Sequence, residues 1–259
     1  MTRLLALVCL ATPAVADVGP LPRADVFVLG EVHDNPAHHA TQADLVARIA
    51  PTALVFEMVS PDDAARVTDT SDPDALAKEL RWADKGWPDF AMYHPIFLAA
   101  PGARIVGGDT TRDDLMTAMQ TSAADVLGIG RIGFNLWIST GPAYAALIED
   151  QREAHCGKLP EDLLPGMVEA QRLRDATLAL AAREAADATG GPVVVITGNG
   201  HARTDTGVPA LLERLAPELS VWSLGQFEGP AAADAPFDAT SVAPPVERGD
   251  PCDRLMPQD

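Results

Sequence analysis

Two histidines close the same short frame, Gly30-Glu31-Val32-His33 and Gly198-Asn199-Gly200-His201, and each frame caps a run of branched apolar residues. An imidazole trades a proton near neutral pH and binds metals through either ring nitrogen. A third apolar run, Ala-Leu-Val-Phe, ends in Glu57, where a charge is costly unless a metal, an arginine or a histidine faces it. A fourth ends in Gly107-Gly108-Asp109. Glu31, His33, Glu57 and His201 are therefore the candidate catalytic set. Within it, His33, Glu57 and His201 make a donor set for a divalent metal such as zinc, leaving a place for water, with Glu31 as general base. That arrangement suits hydrolysis of an ester or peptide. Asp34, Asn35 and Asp109 read more simply as helix N-caps.

These residues must be carried by strands. Asp25 to Gly30, Ala53 to Glu57, Ala103 to Gly107, Pro192 to Thr197 and Leu219 to Leu224 are short and rich in branched side chains. The first, second and fourth are too continuously apolar for a half-exposed sheet. A helix starts at Asn35-Pro36 and runs to about Ala50, where Pro51 ends it. Strands alternating with helices predict an α/β fold with a mostly parallel central sheet flanked by helices. Strand ends on one edge of such a sheet form the ligand crevice. Between the third and fourth strands, about 111–188, lies a helical insertion or cap, with helices over Thr111 to Leu127, Ser139 to Ala154 and Glu161 to Ala188.

The insertion's last helix has an apolar stripe of Leu164, Met167, Val168 and Leu178 that also contains Gln171, Arg174 and Asp175 at helical spacing. Buried polar groups need partners, so these either complete the pocket or bridge the insertion to the sheet. Arg203 is placed to hold a carboxylate in a bidentate pair. Phe90, Tyr93 and Phe97 share one helical face, which reads first as core packing, and Pro95 should kink or divide that helix. His38 and His39 fall in a first helical turn and read as solvated, with His38 also within reach of the crevice.

The chain opens with Arg3, an apolar run from Leu4 to Val15 and the small-x-small sequence Ala14-Val15-Ala16, the layout of a cleavable export signal over residues 1–16. This predicts a periplasmic protein. Cys9 lies deep in the apolar run and follows Val8, so lipid anchoring is not expected, and no later segment is long enough to be transmembrane. Residues 17–228 read as a single domain, and 229–259 as an extended tail rich in proline and alanine. With 37 acidic against 19 basic residues, the chain repels phosphate backbones, which excludes nucleic acid as a partner. Once the signal is removed, Cys156 and Cys252 remain, and an oxidising compartment favours their pairing. A His155-Cys156 catalytic pair is disfavoured because adjacent side chains seldom face each other.

Leu29 to His39, Val55 to Met58, the Gln171-x-x-Arg174-Asp175 helix and Ile196 to Arg203 together resemble the ChaN-like family, related to the Tiki proteases and erythromycin esterases. The resemblance covers about Asp25 to Gln226. It implies a haem-binding protein of iron uptake, able to dimerise around haem through a tyrosine ligand. Tyr93, beside His94, and Tyr144 are the two tyrosines available, and the resemblance does not choose between them. With Tyr93 as ligand, the cofactor-binding residues would be Tyr93, His94, Arg174, His201 and Arg203, with Lys85 also near the propionates. No Cys-x-x-Cys-His occurs, so such haem is noncovalent. For His33, Glu57 and His201 the resemblance implies the strand-end residues that relatives use in metal-dependent or acid/base hydrolysis.

Overall fold

The computed structural model describes residues 18–128, 136, 139–249 and 252. The signal-like segment 1–16 lies outside them. The strands are β1 (Val26–Glu31), β2 (Ala53–Phe56), β3 (Arg104–Gly107), β4 (Val193–Gly198), β5 (Val221–Phe227) and β6 (Ala239–Val242). They form one sheet in the order β3-β2-β4-β1-β5-β6, every pair parallel. Each residue of β1, β2 and β4 is buried, as their unbroken apolar composition predicts. β3, at one edge, is partly exposed.

Alternate side chains of the strands feed two cores. Phe27, Leu29, Leu54 and Phe56 point to one face, where they meet α1 (Pro36–Ile49) through Leu45 and Val46, and α4 (Phe90–Ala99) through Tyr93, Ile96 and Phe97. Val26, Val28, Val55, Val193 and Val195 point to the other, against α8 (Leu164–Thr189) and α9 (Val208–Leu215). α2 (Pro61–Ala64) and α3 (Pro73–Glu79) lie between β2 and α4 in the chain, and α5 (Arg112–Gln120), α6 (Ala123–Leu127) and α7 (Pro142–Ala154) precede α8.

Helix ends follow local chemistry. Asn35 caps α1 by accepting the Ala37 N–H, Pro36 occupies the first turn, and Ala50 closes the helix in the left-handed region. Gly190, with φ of 79°, ends α8. Three expectations are corrected. The helix read over Thr111 to Leu127 is two, because the Ser122 side chain caps a new helix by accepting the Asp125 N–H. α4 runs through Pro95 undivided, its apolar side pinned by the core. Within the stretch read as tail, residues 239–242 form β6 and extend the sheet beyond β5.

Candidate functional site

Strand order brings the chemistry together. β4 lies between β2 and β1, so the residues leaving these three strands meet at one edge. Parallel register pairs Glu31 with Gly198 and Phe56 with Ile196, which sets Glu57 beside Thr197. The Glu57 Oε2 accepts hydrogen bonds from the Thr197 hydroxyl at 2.7 Å and the Gly198 N–H at 2.8 Å. Its Oε1 lies 3.4 Å from His201 Nε2, and Oε2 lies 4.0 Å from His33 Nε2. Burial alone would raise the Glu57 carboxyl; the charge and hydrogen bond of His201, then His33 and the Gly198 N–H, hold it below the usual carboxylate range.

Each imidazole is oriented from behind. His201 Nδ1 lies 2.6 Å from Asp175 on α8, with the Gln171 amide 3.0 Å from the same nitrogen. His33 Nδ1 donates to Glu31 at 2.8 Å. Burial opposes the His201 charge, but Glu57 and Asp175 outweigh it and lift the ring to about 10. His33 is raised likewise, burial being overcome by Glu31 and Glu57. Asp175 is raised by its burial, against the pull of His201. Trp87 tilts over His33 with ring centroids 4.9 Å apart.

The repeated Gly-x-x-His frame has a steric reason. A Cβ at Gly198 would lie 2.9 Å from His33 Nε2, and one at Gly30 only 2.5 Å from Asn199 Oδ1. Each glycine makes room for a polar side chain of the other frame.

Glu31, His33, Glu57 and His201 thus converge, but Glu31 does not face the crevice. It is enclosed, accepting from His33 and from the Tyr93 hydroxyl at 2.8 Å, with its second oxygen 3.2 Å from His39 Nδ1 but out of hydrogen-bonding alignment. Burial works to raise its carboxyl, and His39 and His33 overcome that and lower it to about 2. Its place is that of an anchor for His33, not of a general base. Among the described residues no group of three His, Cys, Asp or Glu side chains is arranged to hold a metal ion. His33, Glu57 and His201 stand as ion-pair partners.

The residues read around Tyr93 do not gather at one ligand. Tyr93 is fully buried, its hydroxyl directed at Glu31 and, at 3.2 Å, at the His33 carbonyl. Burial, then Glu31, pushes the phenol far above its ordinary range, so it stays protonated. His94 Nε2 bonds the Thr70 carbonyl at 2.9 Å. Arg203 is engaged by Asp205 in two bonds of 2.9 and 2.8 Å. Lys85 contacts Asp63 at 3.0 Å and Asp109 at 3.6 Å. Half-buried Arg174 on α8 acts electrostatically on Asp175. His38 and His39, read as solvated, are both fully buried. His38 Nδ1 accepts from the Val32 N–H at 3.0 Å, and His39 Nε2 lies 2.8 Å from the His33 carbonyl, so both brace the loop that carries His33. Thr197, Trp87 and His39 belong to the site and were missed; only the position of Thr197, one residue before Gly198, gave any signal.

Tyr144 stands elsewhere. It is half-buried on α7, under the Arg172 guanidinium at 5.6 Å, in a cavity of about 210 Å³ shared with Leu136, Leu147, Asp175, Leu211 and Arg214. Asp175 therefore touches both this cavity and His201.

The family model described as haem-binding uptake, Tiki superfamily, ChaN matches residues 18–212. The chain belongs to this family. The fold of this ChaN-family chain is similar to that of ChaN of Campylobacter jejuni, described with cofacial haem binding: TM-score 0.62, 19% identity, 85% of this chain and 88% of that one covered. The type III effector HopBA1 is a more distant likeness, with TM-score 0.43 and 17% identity over 85% and 88% of the two chains. A search of curated proteins returned no match. At 19% identity the likeness to the Campylobacter jejuni protein bears on the fold alone, and the family model establishes membership.

Proposed function

We propose that this is a periplasmic haem-binding protein of iron uptake, exported by the signal-like segment 1–16, with Tyr144 as the axial ligand. Family membership supports haem. The observation that carries the choice of tyrosine is the contrast between the two: Tyr93 is sealed in the core on Glu31, whereas Tyr144 borders a cavity that joins leucines to two arginines. A haem needs an apolar wall for its ring, a donor for its iron and cations for its propionates. Leu136, Leu147 and Leu211 supply the first, Tyr144 the second and Arg214 the third, Arg172 being paired with Glu169 at 2.6 Å. Burial, then Glu169, raises the Tyr144 phenol, and Arg172 only partly opposes them, so coordination to the iron has to displace the phenolic proton. The cavity encloses only part of a macrocycle, which fits a second copy of the chain covering the other face. Haemin titration followed by absorbance tests this. A saturable tyrosinate-type spectrum that Tyr144→Phe abolishes supports the reading, and an unchanged titration in that variant rejects it.

A second reading, metal-dependent hydrolysis in the crevice, rests on one observation. Each imidazole spends Nδ1 on a buried carboxylate and turns Nε2 toward Glu57, the outer-sphere pattern of metal-binding histidines. Elemental analysis of protein prepared without chelator, with an esterase and peptidase screen, separates the two; metal-free, inactive protein removes this one.

A further inference from the structure

Helix α7 contributes no buried residue to the fold, so packing alone fixes it weakly. Three tethers hold it. Asp150 pairs with Arg203 at 3.5 Å, two positions after His201; the Tyr144 ring lies under Arg172; and Cys156, just past the helix end, is bonded to Cys252. The third tether leads back to the crevice. Upstream of Cys252, the Pro244 carbonyl accepts from the Asn35 amide at 3.0 Å, and Arg248 grips Asp34 through two bonds of 2.8 Å while also binding Glu228. Asp34 is the neighbour of His33. Four residues on from Arg248, Cys252 lies within a chain reach of at most about 14 Å, and its carbonyl accepts from Lys158 Nζ beyond α7. The C-terminal segment is thus a strap, clamped at the loop of His33 and covalently tied to the helix of Tyr144.

We propose that the Cys156–Cys252 disulfide is a redox-operated tether: closed, it holds α7 and Tyr144 over the cavity between α7 and α8; opened, it releases both. The opening agent is a dithiol reductant. One of its thiolates attacks a sulfur of this cystine, whose two residues are half-buried, the S–S bond breaks to a mixed disulfide, and its second thiol resolves that bond. The net result is two protein thiols and one oxidised dithiol, with protons and electrons balanced. Because the bridge joins residues 96 positions apart, its loss also frees a long loop. The consequence for ligand retention rests on the Tyr144 reading; the release of α7 does not.

Hydrogen exchange of residues 142–154 in the full chain, with and without a dithiol, reads the tether directly. Opening the bridge should speed exchange there by about tenfold or more while α8 and the sheet stay protected. Cys156→Ser/Cys252→Ser should show the fast rate without dithiol and no further response to it. The same pair of substitutions, loaded with haemin, should transfer it to excess apomyoglobin about tenfold faster than the oxidised wild type. Unchanged exchange in α7 on opening the bridge overturns the tether. Faster exchange with unchanged haemin transfer keeps the tether and overturns the placement of Tyr144 on the ligand. Wild type that binds no haemin rejects the haem reading, while the exchange data still decide the tether.

Discussion

The Tyr93 hydroxyl donates to the Glu31 carboxylate across 2.8 Å inside the core, and the same carboxylate oxygen receives His33 Nδ1 at 2.8 Å. Tyr93 is therefore part of the scaffold that aims His33. Tyr93→Phe removes one donor from a buried carboxylate and should destabilise the fold by about 1.5–3 kcal/mol in chemical denaturation. Haemin binding should persist. Loss of the haemin spectrum in a folded Tyr93→Phe protein would return the ligand to Tyr93.

The charge on His201 makes stability depend on alkaline pH. Its ring, ordinarily near 6.5, is raised to about 10 by Glu57 and Asp175 acting against burial. A raised imidazole contributes stability that is complete below the unfolded value and is lost as pH rises through the folded one. Unfolding free energy should thus fall between about pH 6.5 and 10, and His201→Gln should flatten that limb. A wild-type curve flat over that window would sink this assignment.

Glu57→Ala leaves the His201 and His33 charges facing an empty centre. Removing one partner of a buried ion pair costs about 3–5 kcal/mol, so the variant should unfold well before wild type. Glu57→Gln keeps the hydrogen bonds from Thr197 and Gly198 and should recover part of that loss, while removing the attraction that raises His201. Equal stability of the two variants would show that shape, not charge, is what Glu57 contributes.

The sequence carried the strands and their convergence because both are written locally. β1, β2 and β4 are unbroken apolar runs, and a charged residue directly after such a run must find a partner. β6 was invisible because Ala239-Thr240-Ser241-Val242 has no apolar run and owes its strand form to β5. The burial of His38 and His39 was equally hidden. His39 lies tilted against Tyr93 with ring centroids 4.1 Å apart, a contact across 54 positions of chain that no periodicity encodes. Tyr93, by contrast, was legible: the face it shares with Phe90 and Phe97 reads as core packing, and Tyr93 is a core residue.

Gly198→Ala offers a way to perturb the crevice without touching the cavity at Tyr144. An added Cβ would sit 2.9 Å from His33 Nε2 and 3.3 Å from Cε1, both at the far end of a side chain that is 32% exposed. The ring can swing outward, so the fold should survive with a loss of about 1–3 kcal/mol. In moving, His33 leaves Glu31 and Trp87, and its ring loses the carboxylates that raise it. NMR titration of the histidines should then show His33 falling back toward its ordinary value while His201 stays raised. Any metal binding or hydrolysis in the crevice should disappear, and haemin affinity should hold. A His33 titration that does not move would mean that Gly198 is there for the strand and not for the imidazole.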